Sequence, residues 1–136
     1  MKALFMIVIV ILALTLQLAA PSFGQTIKPE KPFVVGAENN ESSKASLDLL
    51  SERAGKDKLI VFVARLGTLE TAQSLSRRRL HTALEYLQTT RDFPADRLVS
   101  AFGDPISDEG RIEVYLDNKL FMVFLFKRNR SFAPES

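Results

Sequence analysis

The sequence predicts an α+β fold: a two-layer sandwich of order β-α-β-α-β-β-β, with both helices on one face of a mixed sheet. Three observations lead there. Two segments, 44–56 and 69–91, carry apolar residues at helical spacing, and each lies between two short β-rich runs. Three β-rich runs then follow one another with only turns between them, so no helix remains for the later connections. Residues 58–66 and 120–127 are apolar on both alternating faces, as strands inside a covered sheet are.

The elements read as follows. "FVVG", 33–36, is a short first strand stopped by Gly36. "AENNESS" is a polar loop that offers Ser42 or Ser43 as the N-cap of the first helix. In "KASLDLLSERAGK", Leu47, Leu50 and Ala54 share a face, and Gly55 stands where a helix ends. "KLIVFVARL", 58–66, is a buried central strand, rich in β-branched and aromatic residues. The second helix, about 69–91, sets Ala72, Ser76, Leu80, Ala83, Leu84 and Leu87 on one stripe. Glu70 falls in its first turn, where the helix dipole favours an anion, and Pro94 lies just past its end. "DRLVSAFGD", 96–104, is a third strand. "RIEVYL", 111–116, alternates Ile112, Val114 and Leu116 against Arg111, Glu113 and Tyr115, the pattern of a half-exposed strand. "DNK" turns the chain into "LFMVFLFK", which needs cover on both faces. The last residues, 129–136, read as a polar, frayed tail.

The N-terminus addresses the compartment. "MKALFMIVIVILALTLQLAAPSFGQ" has a basic Lys2, an uncharged apolar run from Leu4 to Ala20, a break at Pro21 and small residues before a cut after Gly24. This is the pattern of a secretory signal peptide, residues 1–24; the competing reading is an uncleaved membrane anchor. Residues 25–32, "QTIKPEKP", follow as an extended leader. The expected mature domain, 33–128 with its flanks, is therefore exported, to a periplasm or to the outside. With no cysteine in the chain, no disulfide and no lipidated N-terminal cysteine is available. Without Lys2, 17 basic side chains face 16 acidic ones, a balance that gives no polyanion-binding character. Asn40-Glu41-Ser42 is a glycosylation sequon, meaningful only in a eukaryotic secretory pathway.

The chemistry-bearing residues point away from catalysis. One histidine, His81, and no cysteine make no zinc site, and no cofactor is implied. The glycines are scattered among turns and form no phosphate loop; the serines have no nucleophile-elbow context. In "LSRRRLHTALEYL" the three arginines point about 100° apart, so they form no single patch for nucleic acid. Arg78 points away from the apolar stripe, and Arg77 and Arg79 border it. Arg79, beside Leu75 and Ala83, is expected with its stem on the core edge and its guanidinium at the rim, suited to bidentate recognition of a carboxylate.

"LSRRRLHTALEYLQTTRDFPADRLVSAFGD" resembles the second helix and third strand of OmpA C-terminal-like domains, the peptidoglycan-associating modules of bacterial envelopes. Leu75, Ser76 and Arg79 match the family's Leu-Ser-x-x-Arg. Tyr86 and Leu87 match its Tyr-Leu, and Pro94, Ala95, Asp96, Arg97 and Leu98 match its turn into the next strand. "EGRIEVYL" is similar to its terminal Arg-Val-Glu-Ile strand, so the likeness spans roughly residues 33 to 116. The resemblance implies an exported, non-catalytic domain that holds the diaminopimelate group of a peptidoglycan stem peptide, with Arg79 as the carboxylate anchor. Ala64 stands at the family's ligand-binding Asp and Ala72 at its helix-start Asn, and the strand-end arginine pair is reduced to Arg111. A zwitterionic ligand end needs an acceptor as well as a donor, so Glu70 joins Arg79 and Arg111 as a candidate ligand residue. The alternative is the same scaffold with ligand binding lost, acting as a protein-interaction or structural part. In that case the apolar C-terminal strand would serve as a docking edge or dimer face.

Overall fold

The computed structural model describes residues 31–133; the expected signal peptide, the leader up to residue 30 and the last three residues lie outside them. Five strands and two main helices follow in the expected order: β1 (Phe33–Gly36), α1 (Asn40–Ala54), β2 (Ile60–Arg65), α2 (Gln73–Glu85), β3 (Leu98–Gly103), β4 (Gly110–Leu116) and β5 (Lys119–Phe126). A π turn, Tyr86–Thr90, prolongs α2, and a 3-10 turn, Ala95–Arg97, leads into β3. The sheet order is β1-β5-β4-β2-β3. β1 with β5 and β2 with β3 are parallel; β4 runs antiparallel to both its neighbours. The fold is thus an α+β sandwich on a mixed sheet.

Leu47, Leu50 and Ala54 of α1 and Leu80, Ala83 and Leu87 of α2 and its extension pack into one cluster. That cluster takes Ile60, Phe62 and Ala64 from β2, Ile112 and Val114 from β4, and Met122, Phe124 and Phe126 from β5. These strand residues alternate along their strands, so both helices cover the same face. The opposite face carries Val61, Val63, Arg65, Arg111, Glu113, Tyr115, Val123 and Leu125.

Several boundaries differ from expectation. Asn39, not Ser42 or Ser43, caps α1: its side-chain oxygen accepts the Ser42 N–H at 3.0 Å. The Ser43 side chain is buried instead, its hydroxyl donating to the Ala37 carbonyl at 3.5 Å. Gly55 closes α1 with φ at +57°, a value that costs glycine little. α2 begins at Gln73 rather than near 69, because the chain from Thr68 to Ala72 forms a loop that turns Glu70 inward. Ala72 is therefore an exposed N-cap and not part of the apolar stripe.

β5 is not an edge. β1 pairs with it along Met122–Leu125 on one side and β4 runs along the other, so this central stretch of the C-terminal strand lies inside the sheet. β4 and β5 meet through Asp117 and Asn118, both with positive φ (52° and 62°), the backbone of a tight hairpin turn. Tyr115 pairs with Leu120 and Val114 with Met122, which leaves Phe121 as a bulge residue. The tail also departs from expectation. The chain after β5 folds back, and the Phe132 ring packs edge-on against Phe124 and Phe126, with centroids at 5.3 and 5.0 Å. An aromatic residue in an otherwise polar tail supplied the apolar surface that holds it down.

Candidate functional site

Four pieces of chain meet at one end of the sheet: the loop between β2 and α2 with Glu70, the second turn of α2 with Arg79, the first residue of β4, Gly110, and the segment after β5. The stripe of α2 points Leu75, Ser76, Arg79, Leu80 and Ala83 at the sheet, and all five are buried. Arg79 therefore does not sit at the rim. It is 1 % exposed and is the largest fully buried side chain among the described residues.

Its guanidinium is engaged on three sides. Nη1 donates to Glu70 Oε1 at 2.9 Å and Nη2 to Glu70 Oε2 at 2.6 Å, a fork-on-fork pair. Nε donates to the Arg130 carbonyl at 2.8 Å. The plane lies 4.4 Å from the centroid of the Phe126 ring, within cation–π range. Glu70, 5 % exposed, has a second bond on each oxygen: the Gly67 N–H reaches Oε1 and the Asn129 N–H reaches Oε2, both at 2.7 Å. Two oxygens with about four acceptor positions are thus fully used. Burial pushes the Glu70 carboxyl up, but the hydrogen bonds from Arg79, Gly67 and Asn129 outweigh it and hold the group below the usual carboxylate range. Gly110 forms the wall. A Cβ there would overlap Arg79 Nη1 and Glu70 Oε1, so only glycine permits this approach.

Of the three candidate ligand residues, the structure brings Arg79 and Glu70 together and leaves Arg111 apart. Arg111 points to the other face of the sheet, directly across from Arg65 of β2. Its Nη2 donates to Ser107 Oγ at 3.0 Å, its Nη1 lies 3.9 Å from Glu113 Oε2, and its buried Nε has no partner among the described residues. Arg65 holds Glu113 more closely, Nε to Oε1 at 2.8 Å, and gives Nη1 to the Asp104 carbonyl at 2.8 Å. The bond to Glu113 raises the Arg65 pKa, against the opposing effect of burial. Tyr115 OH donates to Glu113 Oε1 at 3.3 Å, and burial and the Glu113 charge push its phenol up.

Ala64 is buried in β2, and Ala72 provides no side-chain cap. His81 is exposed, 3.2 Å from Glu85 one turn along. Among the described residues no cluster of histidine, cysteine and carboxylate side chains could hold a metal ion, and no helix is long and apolar enough to cross a membrane. The motif residues of α2 and the following turn have structural roles. Tyr86 OH donates to Asp48 at 2.8 Å and ties α2 to α1, and Asp96 and Arg97 lie in the 3-10 turn before β3.

The partners that sequence reasoning missed are mostly backbone groups, those of Gly67, Asn129 and Arg130, which carry no residue signature. Gly110 was legible in principle, since a glycine opening a strand often marks a close approach. No family model matches the chain, and no curated protein and no solved structure matches it.

Proposed function

We propose that the protein is an exported, non-catalytic OmpA-like envelope domain whose carboxylate-binding position is filled from within, so that it acts as an interaction or structural module and not as a peptidoglycan binder. The observation that carries this reading is the Glu70–Arg79 pair. Arg79 is the residue that matches the family's ligand anchor, and Glu70 occupies both prongs of its fork. A free stem-peptide carboxylate would have to displace an internal carboxylate that is already satisfied by two backbone N–H groups, within a core that leaves Arg79 1 % exposed. Ala64 adds no acceptor for the ligand's ammonium group. The resemblance of 75–98 to the family supports the scaffold, and the apolar, uncharged stretch after Lys2 supports export.

Purified sacculi mixed with the protein provide the test. The expected result is that the wild type washes through with the unbound fraction. Retention that excess diaminopimelate-containing peptide competes away would overturn the reading and restore cell-wall binding. Export is checked separately, by fractionation and N-terminal sequencing: the expected mature chain begins at Gln25, and an intact Met1 in the cytoplasm would refute it.

A further inference from the structure

We propose that two copies of the chain associate by antiparallel pairing of their β1 strands, centred on Val34, into a two-fold dimer with one continuous sheet. Among the described residues β1 is an end strand, paired only with β5. Ala37 N–H donates to the Leu125 carbonyl at 2.9 Å, which fixes the phase of the ladder. Backbone direction alternates along a strand, so Phe33 and Val35 also turn their N–H and C=O toward β5. Val34 and Gly36 turn theirs outward. The Val34 side chain is 64 % exposed and that of Phe33 47 %.

Any open edge can accept a strand, and a proline beside it ordinarily discourages pairing. Here the outward pattern fits a second copy of itself. With the two-fold axis normal to the sheet, the two Val34 residues exchange both their N–H and C=O groups. The next pair joins Gly36 of one copy to Pro32 of the other. Pro32 lacks an N–H, but the carbonyl that N–H would have served, that of Gly36, already accepts from the Asn39 N–H at 3.2 Å. The Gly36 N–H, in turn, finds the Pro32 carbonyl. The missing donor and the occupied acceptor coincide, so the register loses nothing to the proline.

The side chains follow the same register. Phe33 of each copy falls opposite Val35 of the other, on the helix side of the sheet, by the two-residue alternation. Beside Val35 runs a groove of about 410 Å³ between β1 and α1, walled by Ser42, Ser46, Leu49 and Met122. Each Phe33 ring, which meets Phe121 of its own chain edge-on at 5.5 Å and lines its own groove, lies at the mouth of the other copy's groove, where its exposed side leaves water. This pairing is independent of the envelope reading and stands whether or not the protein meets peptidoglycan.

The absence of cysteine from the chain makes the test clean. In a hydrogen-bonded antiparallel pair the two Val34 Cα atoms stand about 5.5 Å apart, inside the range a disulfide can bridge. Two Gly36 Cα atoms in that register are roughly 14 Å apart, beyond it. The full chain carrying Val34→Cys should therefore cross-link rapidly under mild oxidation, and Gly36→Cys should not. The wild type should sediment as a concentration-dependent dimer. Val34→Pro removes only an outward N–H, so it should sediment as a monomer with unchanged circular dichroism and thermal midpoint. Equal cross-linking at both positions, a wild type that stays monomeric up to about 1 mM, or a dimer that survives Val34→Pro would each overturn the proposal.

Discussion

Glu70 and Arg79 face each other through two parallel hydrogen bonds inside the core, and neither side chain is more than 5 % exposed. The protein needs both members. A buried ion pair gains little over a well-packed apolar pair, because desolvation offsets most of the Coulomb attraction, but removing one partner strands the other. Arg79→Ala or Glu70→Ala is therefore expected to cost about 3–5 kcal/mol, with the thermal midpoint falling about 4–8 °C for each kcal/mol in a domain of this size. The double variant Glu70→Leu, Arg79→Met should lose less than either single change. Urea unfolding of the four proteins measures this directly, and strictly additive losses would show that the two residues are not coupled.

The pair also sets an acid limit. The Glu70 pKa is lowered on folding, so the unfolded chain binds the proton more readily than the folded one. Its contribution to stability is complete above the unfolded carboxylate value, about 4.3, and is lost as pH falls through the lower folded value. Stability should therefore decline below about pH 4 more steeply in the wild type than in Glu70→Gln, which cannot titrate there. Midpoints measured from pH 7 down to 3 would show the two curves converging; parallel curves would remove Glu70 from the acid transition.

The sequence made much of this fold legible and part of the site. Period-3.6 stripes placed both helices, alternation placed β4, and short apolar runs bounded by turns placed the other strands. The stripe on α2 put Arg79 at its border, but how deep it lies depends on what covers it. Two things were out of sight: the loop that keeps Glu70 off the helix, and a tail that returns through Phe132 to seal the guanidinium. Long-range backbone donors and acceptors, such as Asn129 N–H and the Arg130 carbonyl, have no side-chain signal. In one reading β5 offered a docking edge or a dimer face, because apolarity on both faces does not say which neighbours a strand pairs with; β1, adding in parallel along Met122–Leu125, occupies that part of its edge.

Gly110 should tolerate no side chain. A methyl group there would overlap both Arg79 Nη1 and Glu70 Oε1, and the two side chains are anchored, Glu70 by the Gly67 and Asn129 N–H groups and Arg79 through Nε by the Arg130 carbonyl, so they cannot swing aside. Gly110→Ala is expected to destabilise by about 1–3 kcal/mol, the range for overpacking, in spite of the usual benefit of replacing a strand glycine. A neutral or stabilising effect in chemical unfolding would mean that the contact is looser than the geometry implies.

Tyr115 reports on the opposite face. Burial and the neighbouring Glu113 carboxylate both disfavour its phenolate. In a Tyr86→Phe background, which leaves Tyr115 as the one tyrosine, phenolate absorbance should appear above the ordinary value of about 10. Glu113→Gln removes the charge and should bring the titration down. An unchanged titration would assign the shift to burial only.

The tail is the last test of the site. Deleting residues 129–136 removes the Asn129 N–H from Glu70, the Arg130 carbonyl from Arg79 and the Phe132 ring from Phe124 and Phe126. Phe132→Ala removes only the ring. Water can replace backbone partners where it can reach them, so the two changes separate packing from hydrogen bonding. If the backbone bonds matter, the deletion should cost at least about 1 kcal/mol more than Phe132→Ala, since a lost hydrogen bond to a charged group is typically worth about 1.5–3 kcal/mol. The deletion, and not Phe132→Ala, should also move the acid transition toward neutral pH, because Glu70 loses one of the donors that lower its pKa. Equal losses and equal acid transitions would reduce the tail to an apolar plug and assign the carboxylate's state to Arg79 and Gly67.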